Sequence, residues 1–282
     1  MRILVTGAGG MLGHDVVTAA RGAGHEPIGL ARADLDITDA DAVAAAVAVA
    51  SPDAVINCAA WTAVDAAEDH IADALAVNGT GAGHLAAAAA GAGAWVIHVS
   101  TDYVFDGDKR EPYLESDPVG PISSYGRSKL DGEQAVARAA PGTHTIVRTA
   151  WLFGVHGPCF PRTMLRLAAE RDRLTVVDDQ IGCPTFTGHL APALVALAEQ
   201  RTAGILHVAA AGQCSWCAFA QATIAGAGLS CEVAPIPSEQ YPTPAPRPAY
   251  SVLRSQRGAP ELPQWQAGLR QFLDLIGKEA TL

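Results

Sequence analysis

The stretch RILVTGAGGMLG, Arg2 to Gly13, decides how the rest of the chain reads. An apolar run of the kind that forms a buried parallel strand leads into Gly7, Gly10 and Gly13, and a helical segment follows to about Ala23. Glycine at such a junction permits a tight turn, lets the backbone approach a pyrophosphate, and lets the helix pack closely on the strand. The free N–H groups at the helix start then face the phosphates. The spacing is GxxGxxG, because the sixth position counted from Gly7 is Leu12, so GxGxxG is not met. Strand, glycine turn and helix in this order still point to a dinucleotide-binding unit, with Gly7, Gly10 and Gly13 as its cofactor contacts.

Outward from this unit the same rhythm continues. The apolar segments EPIGL, DAVINC, AWVIHV and HTIVRT alternate with helical segments from Asp39, Glu68 and Tyr125. This alternation predicts an α/β fold, a doubly wound parallel sheet (Rossmann) covered by helices on both faces. After RTAWLFG the rhythm changes to an amphipathic helix FPRTMLRLAAE, a strand LTVVD and a Pro-rich stretch from Val233 to Pro248. The expected organisation is an NAD(P)-binding Rossmann domain over residues 1–150 and a smaller C-terminal α/β substrate-binding domain over 151–282. Residues 187–210 are expected to return to the first sheet.

Composition narrows the function. The 282 residues are 49% hydrophobic and 17% charged, enough for a sizeable core. A net charge of −10 argues against nucleic acid or an anionic membrane as the main partner, since both need clustered Lys and Arg. The longest weakly polar stretch, LAAAAAGAGAWVIHV, is shorter than a membrane span, and no signal-peptide pattern opens the chain. A cytoplasmic location is therefore expected. Cys214 and Cys217 have redox-motif spacing, but no second CxxC completes a zinc site, and the plainer reading is ordinary half-buried thiols. No His/Asp/Glu spacing identifies a metal site, so none is expected.

Chemistry gathers at STDYVFDG, where Thr101, Asp102 and Tyr103 follow the strand AWVIHV, at the sheet edge where open α/β folds bind ligands. In YGRSK, Tyr125 and Lys129 stand four residues apart and share a helix face. Hydride arriving at a carbonyl carbon leaves an alkoxide that needs a proton, and a free phenol of pKa about 10 is a sluggish donor and acceptor at neutral pH. A neighbouring ammonium and an oxidised nicotinamide ring both favour the phenolate, so Lys129 reads as an electrostatic tuner of Tyr125 and a ribose ligand. Thr101 supplies a hydroxyl to the same carbonyl oxygen, which orients it and stabilises its developing charge. The catalytic set is Thr101, Tyr125 and Lys129, with Asp102 and Tyr103 at the substrate edge.

With LDITD, CAAWTAVDAAE, VNGTGAGHLA, RTAWLFG, VVDDQIGCPTFTGHLA and RPAYSV added, the chain resembles the dTDP-4-dehydrorhamnose reductase family, in the extended branch of the short-chain dehydrogenase/reductase superfamily. The resemblance implies NADPH or NADH as cofactor, a dTDP-4-keto-6-deoxy sugar as substrate, reduction of its C4 ketone, and a monomer or homodimer. It also implies cofactor contacts from Met11, Leu12, Asp36, Ile37, Ala60, Trp61 and Thr62, and substrate contacts from Thr101, Asp102 and Trp151, with Tyr103 beside them. Trp61 stands where a smaller aromatic residue is more usual, and Cys183 where Ser is common. Arg162, Arg166 and Arg247 are candidates for a diphosphate clamp or for solvated surface positions. The alternatives are a reductase of another keto-sugar, an epimerase that keeps its cofactor bound, and a non-catalytic regulatory subunit resembling that of methionine adenosyltransferase.

Cofactor preference turns on GLARADLDITD. An NAD site usually carries Asp or Glu at the end of the second strand, about twenty residues past the glycines, whereas this chain reads Leu30, Ala31, Arg32. Arg32 suits a 2′-phosphate. NADPH is therefore expected to serve at least as well as NADH, and Arg32→Ala to lower kcat/KM for NADPH selectively; equal losses with both cofactors would remove Arg32 from the cofactor site.

Overall fold

Alternation within each strand sets the layers. The computed structural model describes residues 1–279 and begins β1 (Arg2–Thr6), α1 (Met11–Gly22), β2 (Glu26–Leu30), α2 (Ala40–Ala50) and β3 (Ala54–Asn57). It continues through α3 (Ala66–Asp69), α4 (Ile71–Leu75), α5 (Ala82–Gly91), β4 (Trp95–Thr101), α6 (Ser124–Ala139) and β5 (His144–Thr149). Side chains of adjacent strand residues point to opposite faces. Ile3, Val5, Ile56, Ile97 and Val147 pack with Val16 of α1 on one face, and Leu4, Val55, Val96 and Ile146 pack with residues of α2, α5 and α6 on the other.

The remaining elements are β6 (Leu152–Phe153), α7 (Phe160–Glu170), β7 (Arg173–Val177), β8 (Ile181–Gly182), β9 (Thr185–Phe186), α8 (Thr187–Gln200) and β10 (Gly204–His207). Then come β11 (Ala210–Ala211), β12 (Cys214–Ser215), α9 (Trp216–Gly226), β13 (Glu232–Ile236), β14 (Leu262–Gln264) and α10 (Trp265–Glu279). The main sheet is parallel with the order β10-β5-β4-β3-β1-β2. This is the doubly wound α/β sheet that the alternation implies. β10 pairs with β5 at its far edge, and α8 supplies Leu190 and Leu194 to the α1 face, so this late segment is part of the first layer system. A second, smaller α/β unit forms where β13 pairs with β7 and residues of α7 and α9 pack around it. No helix among the described residues is long and apolar enough to cross a membrane.

One expected element is divided. The helix expected from Glu68 is broken at His70 between α3 and α4, and a π-helical stretch, Ala76–Gly81, joins α4 to α5. Gly79 and Gly81 weaken α-helical propensity there, and the wider turn carries the Asn78 carbonyl toward α6. A Cβ built on Gly132 of α6 would lie 2.1 Å from that oxygen. Gly132→Ala is therefore expected to lower stability by about 1–3 kcal/mol through overpacking, read as a shifted urea midpoint. Gly91→Ala, where a Cβ meets nothing within 4 Å, should leave it unchanged or slightly higher.

Candidate active site

The sheet order reverses around β1, with β2 on one side and β3 on the other, and ligands of open α/β folds bind in the crevice above such a switch point. The glycine turn fills the floor of this crevice. Gly7 has φ 68°, and a Cβ there would lie 2.6 Å from the Ala59 backbone nitrogen, while one on Gly13 would lie 2.2 Å from the Gly7 oxygen. Gly10 is the N-cap of α1 and no side chain caps that end, so its first N–H groups are left for an anionic ligand. This cradle fits a dinucleotide pyrophosphate. Around it Arg32 and Asp36 are exposed, and Thr38 backbone and side-chain hydrogen bonds hold the Asp36 carboxyl below its usual range. Met11, Ala60 and Trp61 are half-buried and Thr62 is exposed. Leu12 and Ile37 lie in the core at 7% and 4% exposure, so what they offer a ligand is mainly backbone.

The catalytic candidates lie one strand further along, at the carboxyl end of β4. Thr101 Oγ1 donates to Asp102 Oδ1 at 3.0 Å and accepts from the Tyr103 N–H at 3.2 Å. The Tyr103 and Tyr125 rings meet edge to face, with centroids 5.6 Å apart. Ser123 caps α6 by accepting from the Gly126 N–H, so Tyr125 falls in the first turn, half-buried, and Lys129 one turn deeper at 2% exposure. Lys129 Nζ donates to the Val99 carbonyl at 2.7 Å.

Burial dominates the ionisation of all three groups. It pushes the Tyr125 phenol up to about 12, opposed by hydrogen bonding with Thr101. It pulls Lys129 down to about 8 and raises Asp102 to about 6, the latter opposed by hydrogen bonds with Ser251 and Thr101. The lowering expected from Lys129 and an oxidised nicotinamide together belongs to the cofactor-bound site; in the chain alone, desolvation raises the phenol.

Sequence reading missed two side chains that hold this arrangement. Asn78 accepts from the Trp61 N–H at 2.8 Å, donates to the Trp61 carbonyl at 3.0 Å, and donates to Ser128 Oγ at 2.9 Å, which ties the loop after β3 to α6. Glu68 accepts from the Ser124 N–H and hydroxyl at 2.8 and 2.7 Å, placing a negative charge at the N-terminus of α6. Both come from the divided helix region, inside segments CAAWTAVDAAE and VNGTGAGHLA that carry the resemblance, and local spacing assigns neither a role. Tertiary structure also gathers His14, Asp15 and His156, whose potential ligand atoms lie within 4.8 Å of one another, a grouping invisible to spacing because 15 and 156 are remote in sequence.

On the substrate side, Trp151 is half-buried with φ 47°, and its ring stacks on Trp216 with centroids 3.5 Å apart. Arg247 is bound bidentately by Asp65 at 2.9 and 2.7 Å. Arg162 donates to the Val155 carbonyl at 2.6 Å, and Arg166 is exposed beside Glu170. Burial raises the thiols of Cys183 and Cys214 to about 12 and also raises Cys217, which leaves them protonated and unreactive at neutral pH.

Residues 1–277 match the family model described as RmlD substrate binding domain. A protein of Mycolicibacterium smegmatis named dTDP-4-dehydrorhamnose reductase is 48% identical over 277 residues, spanning 97% of this chain and 82% of its own. One of Streptomyces niveus named dTDP-4-keto-6-deoxy-D-glucose reductase is 43% identical and spans 99% of each chain. The Bacillus anthracis dTDP-4-dehydrorhamnose reductase solved in complex with NADP superposes with a TM-score of 0.94 at 36% identity, covering 97% of this chain and 99% of that one.

Asp102 gives this edge a measurable pH signature. Burial raises its pKa in the folded chain to about 6, above the ordinary carboxylate value of 3.8, so the folded state holds the proton more tightly. Its favourable contribution is complete below pH 3.8 and is lost as pH rises through 6. Asp102→Asn is therefore expected to match wild-type stability near pH 4 and to exceed it at pH 7 by on the order of 3 kcal/mol. Urea titrations at both pH values check this; a gain independent of pH would contradict it.

Proposed function

The chain belongs to the family described as RmlD substrate binding domain, and on that premise we propose that it is an NAD(P)H-dependent reductase of the C4 ketone of dTDP-4-dehydro-L-rhamnose, yielding dTDP-L-rhamnose. The observation that carries this reading is that α6 packs its Tyr125 ring against Tyr103 and its buried Lys129 onto the Val99 carbonyl, beside Thr101 at the end of β4, in the same sheet as the glycine cradle at β1. A regulatory subunit has no need of all three.

The dinucleotide, when bound, supplies the hydride. The chain supplies the proton and the orientation. A phenol raised to about 12 is protonated at neutral pH, which is the state needed to give a proton to an oxygen that is becoming an alkoxide. The Tyr103 N–H fixes the Thr101 oxygen, and the Thr101 proton, given to Asp102 in the free chain, turns to the substrate oxygen as charge develops there. Lys129 stabilises the phenolate left behind, and with a pKa near 8 it is largely charged at pH 7. Trp151 offers the sugar an aromatic surface whose tilt is set by Trp216.

A second substrate reading has support from the Streptomyces niveus relative, whose name specifies a keto-sugar of the D-gluco series. Purified chain mixed with NADPH or NADH and either dTDP-4-keto-6-deoxy sugar, with nicotinamide absorbance followed, separates the two. Cofactor consumption with neither sugar would sink the reductase reading. Tyr125→Phe removes the acidic proton and almost no volume, and turnover is expected to fall by about two to four powers of ten while cofactor affinity stays within a few-fold. Near wild-type turnover by this variant would assign the proton to another group.

A further inference from the structure

Glu133 lies one turn beyond Lys129 on α6, so the two share a helix face, and it is sealed from solvent at 3% exposure. Its carboxylate accepts from Ser100 Oγ of β4 at 2.6 Å, and from Arg148 Nε and Nη2 of β5 at 2.8 and 2.7 Å. Ser100 immediately precedes Thr101. The carboxylate therefore fastens the strand end that carries Thr101 to the helix that carries Tyr125 and Lys129.

We propose that Glu133 is a positioning residue for the reductase reaction, clamping the Thr101 end of β4 onto α6 and keeping the buried Lys129 charged. This rests on the reductase reading above. The groups around Lys129 leave that second task to Glu133. From β4, His98 is held neutral, its pKa driven well below 6.5 by burial. The thiol of Cys58, just after β3, would help only if ionised, and burial pushes it up to about 12. Arg148 of β5 is a second cation, and Tyr125 and Asp102 are the titrating groups on the substrate side. Burial depresses the Lys129 pKa, and the Glu133 carboxylate opposes that depression. A buried Glu–Arg pair can often be replaced by apolar residues without loss of stability. What an apolar pair would not reproduce is negative potential beside the ammonium.

The chain has three lysines, Lys109, Lys129 and Lys278, so carbon-13 labelling of the lysine ε-carbons gives a spectrum simple enough to titrate Lys129 directly. Glu133→Gln alone strands the Arg148 guanidinium in the core. The paired variant Glu133→Gln with Arg148→Met removes both charges together and is the one expected to fold, as judged by NADPH binding. In it Lys129 is expected to titrate about one pH unit or more below its wild-type value, with the alkaline limb of kcat moving down by the same amount and KM for NADPH little changed. Glu133→Asp with Arg148 retained keeps the charge and should restore most of the titration. An unchanged Lys129 titration in either folded Gln variant would overturn the proposal. Because that titration needs no turnover, a chain inert toward both keto-sugars would defeat the reductase reading and leave the role of Glu133 to be decided by the spectrum.

Discussion

The sheet parts at β1, with β2 on one side and β3 on the other, and the crevice this leaves can be lined closely only by backbone. At Gly7 and Gly13 a single added carbon would collide with main-chain atoms, so the turn after β1 carries no side chains at those points. The result is a helix end with its N–H groups free and its dipole aimed at the crevice. The cradle stands at the carboxyl end of β1, with β3 beside it and β4 the next strand in order. Thr101 at the end of β4 and Tyr125 at the start of α6 follow from that geometry.

The strand ends carry polar side chains in a region that is otherwise apolar, and most have partners, while Thr149 Oγ1 and His98 Nε2 have none among the described residues. Thr6, Asn57 and His98 form a hydrogen-bonded row across the centre of the sheet. Asn78 and Glu68 bind the loop after β3 and the start of α6. Such partners keep a buried polar group from costing about 1–3 kcal/mol. Asp102 is the exception in ionisation, since burial favours its neutral form while the site at neutral pH holds it largely as the anion. That is a local loss of stability at the carboxyl end of β4.

The substrate side follows a different logic. Arg247, an arginine suited to a diphosphate, is instead the bidentate partner of Asp65, and the Ala245 N–H binds the same carboxylate. The Pro-rich segment is thereby fastened to the loop after β3. The Trp151 ring is stacked flat on Trp216, which arrives from α9. The aromatic surface is thus shared between a strand-end loop of the first layer system and a helix of the smaller unit.

Local pattern was enough for the parts of this protein that repeat a local rule. Period-two apolar strands alternating with helices specify a parallel doubly wound sheet, glycines at a strand–helix junction specify a phosphate cradle, and a four-residue spacing puts Tyr125 and Lys129 on one face. Tertiary structure decided whatever depends on residues remote in sequence. The helix expected from Glu68 is divided at His70 and at the π-helical stretch, where the Asn78 carbonyl lies against Gly132 of α6. In the chain alone the Tyr125 phenol is raised, because desolvation depends on everything packed around it. Glu133 reads in the sequence as one more acid on a helix, and becomes significant only when β4 and β5 bring Ser100 and Arg148 to it. Spacing along a chain encodes which face a residue occupies, whereas electrostatics and burial are sums over neighbours that only the folded chain assembles.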